Sequence, residues 1–146
     1  MDKNCVLALE SRAMNHEVKG PFDVKLSPEP PYDTVDGVSL GRITIQKKFH
    51  GDLEASGSAQ MLSAGTPVQG SAGYVAIERV TGSLKGRTGT FVLQHSGTMD
   101  RGKPSLALAI VPDSGTGELK GLAGTMKIDI VDGKHFYTLN YTLNDA

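Results

Sequence analysis

Apolar and polar residues alternate along most of this chain in short runs broken by glycine and proline, the period of strands rather than of helices. Residues 74–80 and 88–93 are both rich in β-branched and aromatic side chains, and Ser83-Leu84-Lys85-Gly86 between them carries the glycine that a tight turn requires. With Lys85 and Gly86 as the turn, Leu84 faces Arg87, Val80 faces Phe91, Glu78 faces Leu93 and Ala76 faces His95. One face of this hairpin then holds Tyr74, Ala76, Glu78, Val80, Phe91, Leu93 and His95, because side chains alternate along a strand. Neither face is purely apolar, the pattern of a small barrel whose interior keeps a few polar groups.

A second hairpin is predicted from residues 40–49 and 53–62, turning at Gly51-Asp52 with Phe49 opposite Ala55. One side carries Ile43, Ile45, Lys47 and Phe49 against Ala55, Gly57, Ala59 and Met61, and the other side is polar. The small residues on the second strand leave volume opposite the bulky ones on the first, room for a cavity. Lys47 is the exception on the apolar side. It is expected to snorkel out of an open barrel end, or else to offer a positive charge to a ligand inside.

The remaining pattern adds a strand over residues 17–26, closed by Pro28-Glu29-Pro30-Pro31, and a loop over 32–37 whose Asp33 and Asp36 are turn residues. Residues 105–111 form a nearly continuous apolar run, which predicts a strand covered on both faces. Asp132-Gly133 is a strong hairpin turn between strands at 125–131 and 135–143. The sum is about eight strands, no long helix and no repeat of fixed period: an all-β chain forming one closed antiparallel barrel. At 146 residues the chain suits one domain. Residues 1–15 lack the alternation and are expected to be a flexible arm, with Met14 an alternative translational start; residues 16–146 are the barrel.

Composition narrows the chemistry. Lys and Arg number 15 against 16 Asp and Glu, with no block of like charge, so no footprint for nucleic acid or an anionic membrane exists. Cys5 is the sole cysteine, which rules out an internal disulfide and suits a cytoplasmic setting. The run from Cys5 to Leu9 is too short for a secretory core or a membrane span, so a soluble protein is expected. His16, His50, His95 and His135 show no two-ligand spacing, and neither a metal nor another cofactor is expected. The Gly-rich run 115–121 misses the dinucleotide and phosphate-loop spacings, and no nucleophile elbow is present. Asp113-Ser114-Gly115-Thr116 matches the string of aspartic peptidases, but a single copy needs a homodimer to pair two carboxylates, and after Pro112 it reads as a tight turn.

The candidate site lies on the mixed face of the central hairpin. Glu78 and His95 are diagonal neighbours, a carboxylate and an imidazole able to share a proton or a ligand. The predicted pocket is lined by Tyr74, Glu78, Phe91, Leu93 and His95, with Lys47 from the neighbouring hairpin.

Lys48-Phe49-His50-Gly51-Asp52, Ile77-Glu78-Arg79-Val80, the run from Gly86 to His95 and Ser114-Gly115-Thr116-Gly117-Glu118-Leu119, taken in order, resemble an uncharacterised bacterial family of small β-barrels, DUF3224, over most of residues 19–143. The resemblance implies a barrel like that of plant allene oxide cyclase, comparable in outline with the avidin and lipocalin barrels that hold small ligands. It carries over no catalytic residue and no activity.

Three expectations follow for function. The first is a barrel that binds a small hydrophobic or amphipathic molecule. The second is an isomerase or cyclase resembling allene oxide cyclase, with Glu78 or His95 handling protons. The third is a homo-oligomer, most simply a dimer, in which Ala107, Ala109 and Val111 cover one another at the interface.

Overall fold

A computed structural model describes residues 14–144. It contains nine strands: β1 (Asn15–Pro28), β2 (Asp33–Val35), β3 (Val38–Phe49), β4 (Leu53–Gly65), β5 (Ala72–Leu84), β6 (Arg87–Asp100), β7 (Lys103–Ile110), β8 (Ala123–Val131) and β9 (Lys134–Thr142). Eight of them close an antiparallel barrel, and the arm expected at residues 1–15 lies, but for its last two residues, outside the described chain. Closure falls to β1, which pairs with β9 from Asn15 to Phe22 and with β3 from Phe22 to Pro28. A long strand shared by two neighbours leaves no free edge at this join.

The hairpins have the predicted registers. Leu84 pairs with Arg87, Val80 with Phe91, Glu78 with Leu93 and Ala76 with His95, while Phe49 pairs with Ala55. Lys85-Gly86 and Asp132-Gly133 both have positive φ at each residue, and so do Asp36-Gly37 and Arg101-Gly102. Two left-handed residues in succession form the turn whose twist matches the flanking strands, and Gly at the second position removes the steric cost. Asp36-Gly37 thereby makes a short hairpin of residues 33–40, part of which was expected to be loop; β2 lies on the rim, fully exposed, outside the barrel proper.

The two ends of the barrel differ. At the end holding the β3–β4 and β5–β6 turns, Leu53, Leu84 and Phe91 are almost fully buried, and a single 3-10 turn at Gly117–Leu119 brings Leu119 and Leu122 over them as a plug. The segment from Val111 to Glu118 lies along β6 in place of a strand. Val111 N–H donates to the Val92 carbonyl and Thr116 N–H to the Thr90 carbonyl, while the hydroxyls of Ser114 and Thr116 accept from the N–H groups of Val92 and Thr90. Asp113 thus sits in the predicted turn, and the string around it serves the ladder of β6. At the opposite end, bounded by the β4–β5, β6–β7 and β8–β9 turns, no equivalent plug covers the interior among the described residues.

The outer wall between β3 and β4 is polar, with Arg42 Nε donating to Gln60 and Gln46 to Ser58 across the strands. β7 departs from expectation. Its inner side chains Leu108 and Ile110 are buried, whereas Ala107 and Ala109 on the outer wall are exposed and Val111 is half-buried, so the run is covered on one face only. Alanine and serine on that wall are small enough to stand in water, so the apolar run does not require cover on both faces within one chain.

Inside, Tyr137 on β9 is almost fully buried, and its hydroxyl donates to the His50 carbonyl at 2.8 Å and accepts from the Leu53 N–H at 3.2 Å. One phenol thus satisfies both backbone groups of the β3–β4 turn that face the core. Tyr137→Phe is expected to keep the ring packing and strand these two groups, costing about 1–3 kcal/mol in a urea titration; a midpoint equal to wild type would show that the turn finds other partners.

Candidate functional site

The registers place three ionisable side chains on the inner face. Glu78 stands in the row Ile45–Ala59–Glu78–Leu93–Ile110, His95 one row nearer the open end with Ile43, Met61, Ala76 and Leu108, and Lys47 one row nearer the plug with Gly57, Val80 and Phe91. All are buried: their side chains are 0%, 5% and 7% exposed for Glu78, His95 and Lys47. Glu78 Oε1 accepts from Lys47 Nζ at 3.0 Å and is 2.8 Å from His95 Nε2. The predicted diagonal pair is therefore a direct hydrogen bond. Lys47 neither snorkels outward nor stands free for a ligand, because the carboxylate lies two strands away across a gap of small residues.

That gap is Gly57. A Cβ there would run into Glu78 Oε2, so any side chain at this position would displace the carboxylate beneath which β4 passes. The volume expected opposite Ile45 and Phe49 exists, but Glu78 and Lys47 occupy it. Phe22 and Phe49 face the ammonium, with ring centroids 5.3 and 5.9 Å from Nζ, which adds cation–π attraction to the ion pair. Among the described residues, Glu78 Oε2 is the buried side-chain polar atom left without a hydrogen bond. Burial pushes the Glu78 carboxyl up, but the His95 hydrogen bond and the charge and hydrogen bond of Lys47 outweigh it and hold the group below its ordinary value.

Above this cluster the barrel opens. A cavity of about 390 Å³ is lined by Met61 and Ser63 to Gly65 on β4, by Ala72, Gly73 and Tyr74 on β5, Gly97 to Met99 on β6, and Pro104 to Leu106 on β7. No residue lining it is charged. The Tyr74 ring lies over Gly97, where a Cβ would collide with it, and so roofs the row that holds His95. Burial and the nearby Glu78 carboxylate both raise the Tyr74 pKa, keeping it a neutral phenol.

Of the predicted site residues, Tyr74 lies on the cavity wall, and Lys47, Glu78 and His95 are joined beneath it. Phe91 and Leu93, 1% and 0% exposed, are packed in the core nearer the plug and do not line this cavity. Met61, Met99 and Leu106 do line it and were not singled out from the sequence. The signal available was the run of small residues Ser63-Ala64-Gly65 and Gly97 at the strand ends, where side chains too small to fill a barrel leave its mouth empty. Among the described residues no group of three His, Cys, Asp or Glu is placed to hold a metal ion, and no helix is long and apolar enough to cross a membrane.

Two predictions rest on the buried cluster. Glu78→Gln leaves the Lys47 ammonium without a countercharge and is expected to lower stability by about 3–5 kcal/mol; adding Lys47→Met, which removes that ammonium while the Gln carbonyl still serves His95, is expected to recover most of the loss. Denaturation of the double variant no more resistant than the single would contradict the pairing. The pH dependence has a definite sign. A carboxyl held below its ordinary value of 4.5 stabilises the folded state fully above about that pH and loses this contribution as pH falls through the lower folded value. Acid titration of wild type should show this decline, and Glu78→Gln should flatten it.

Comparison with known proteins agrees with this barrel. A solved structure of a protein of unknown function from the DUF3224 family of Shewanella oneidensis MR-1 is 53% identical, covering 90% of this chain and 100% of that one, with a TM-score of 0.85. No curated protein matches the chain. The family model described as "Protein of unknown function (DUF3224)" matches residues 18–141, so this chain belongs to the DUF3224 family.

Proposed function

We propose that this protein binds a small apolar or amphipathic molecule in the open mouth of its barrel. One observation carries this reading. By register Leu26, Met99, Leu106 and Ile130 lie on the inner face of the barrel, yet they are 56%, 41%, 42% and 64% exposed. Large apolar side chains turned toward a barrel axis and left wet mark a surface that gains free energy when something covers it. The cavity that Met99 and Leu106 line, about 390 Å³, falls in the range of roughly 300–1,000 Å³ common for small-molecule sites. The buried ions argue in the same direction: replacing a buried ion pair by apolar side chains is often neutral or stabilising, so stability alone does not account for Lys47, Glu78 and His95.

Gly65 offers the test. It lines the cavity, its φ is ordinary, and a Cβ there would meet nothing within 4 Å. Gly65→Trp is therefore expected to fold as wild type while filling the mouth. A naphthalene-sulfonate dye should brighten with wild type and lose at least about ten-fold in affinity with the variant, a change of about 1.4 kcal/mol. Equal binding to both proteins would place the dye elsewhere and remove the mouth as the site.

A second reading is favoured by the 2.8 Å bond between His95 and Glu78. A carboxylate that accepts from Nε2–H leaves Nδ1 as a base, and Lys47 keeps that carboxylate ionised. In this reading the barrel shapes a substrate for proton transfer, an isomerase or cyclase in the manner of allene oxide cyclase. Turnover that persisted in His95→Gln would rule the dyad out. We also propose self-association through the outer wall, where Ala107 and Ala109 stand exposed near Val75 and Ile77, themselves 52% and 53% exposed; a monomer in sedimentation at micromolar concentration would exclude it.

A further inference from the structure

The barrel wall has one weak join. Its other neighbouring strands pair over seven residues or more, but β7 and β8 pair only at Ala109 and Thr125. Were that register continued toward the open end, Leu106 would face Ile128 and Pro104 would face Ile130. Those rungs are not formed. Pro104 has no N–H to offer any neighbour, and beyond the single rung the two strands run unpaired toward the rim, a seam here called the slot.

Both lips of the slot are apolar on their inner side. Pro104 and Leu106 belong at once to the slot and to the cavity lining, and across from them Ile128 is half-buried and Ile130 is 64% exposed. The cavity lining ends on β7, and the unpaired stretch of β7 and β8 adjoins it there. The cavity lining carries no charge, and the ionised groups beneath it, Lys47 and Glu78, are bound to each other. Whatever is buried here must be uncharged along its buried length, since an ion would lie without a partner in an apolar site.

We infer that the molecule bound is an elongated, uncharged hydrocarbon chain, of the acyl or alkyl kind, held with one part in the cavity and the rest in the slot between β7 and β8. This rests on the mouth being a binding site, and it adds a shape that the mouth alone does not require. A compact ligand would need only the cavity; a chain longer than the cavity uses the open seam, covering Leu106 and Ile130 together. The same seam supplies its way in, because no strand hydrogen bonds beyond Ala109 and Thr125 must break to admit it.

The chain contains no tryptophan, so Ile130→Trp introduces a single indole at the far lip of the slot, on a residue exposed enough for the fold to tolerate it. Titration with 1-hexanol and with 1-dodecanol is then compared. Both alcohols are expected to displace the naphthalene-sulfonate dye from the mouth, but only dodecanol should move the indole emission to shorter wavelength, as the chain covers it. Dodecanol that displaced the dye and left the emission unchanged would overturn the slot while leaving the mouth as a site. Failure of either alcohol to displace the dye from wild type would instead overturn the mouth itself, and the slot with it.

A cross-link checks the same point without relying on the indole. In a Cys5→Ser background, Ser105→Cys with Asp129→Cys sits where the continued register would bring the two strands together. Oxidation should draw the seam shut and weaken dodecanol at least about ten-fold while sparing hexanol, and reduction should restore it. Unchanged dodecanol affinity in the oxidised protein would count against the slot. So would a pair that oxidises fully with dodecanol already bound.

Discussion

One carboxylate oxygen organises the interior. Glu78 Oε1 takes hydrogen bonds from Lys47 on β3 and His95 on β6, so a single acceptor on β5 ties together side chains from three strands of the wall. Burial of the carboxylate is tolerable because this oxygen takes two charged or polar donors and the Lys47 ammonium neutralises it at close range, even with Oε2 left unpaired. The requirement spreads outward. Gly57 must have no side chain, Phe22 and Phe49 must turn their rings to the ammonium, and β4 must run close beneath the carboxylate.

The cluster also divides the barrel into two regions with different physics. On the plugged side, Phe49, Leu53, Val80, Leu84, Phe91 and Leu119 are packed to near-complete burial and supply the hydrophobic stability of the fold. On the open side the inward residues shrink to Ser63, Gly65, Ala72 and Gly97, and the large ones that remain are wet. A chain selected only for stability would fill that end, as it filled the other. The open seam between β7 and β8 lies on this same side, so the least paired part of the wall and the least filled part of the interior coincide.

Alternation and turn chemistry made much of the fold legible in advance. Period-two patterning specifies which face of each strand turns inward, and Lys85-Gly86 and Asp132-Gly133 pin the registers, because a slip of one residue would turn every apolar side chain to water. Glu78 and His95 could be placed as diagonal neighbours for that reason alone: they lie on strands joined by one short turn. Within one chain β7 is covered on its inner face only, because alanine reads as apolar in a pattern while being small enough to remain exposed.

What the sequence by itself determined, then, were the relations carried by local rules: strand faces, hairpin registers, and the contact between Glu78 and His95. Lys47 lay beyond them. Its meeting with Glu78 spans two strands and depends on the curvature of a closed sheet and on Gly57 leaving the space between, neither of which is a property of any short segment. The same holds for the cavity, whose lining comes from four strands, and for the seam, which is a rung that fails to form between strands separated by the plug segment. Pairing energies between distant segments are settled only when the whole barrel closes, so the mouth and the seam beside it belong to the tertiary structure.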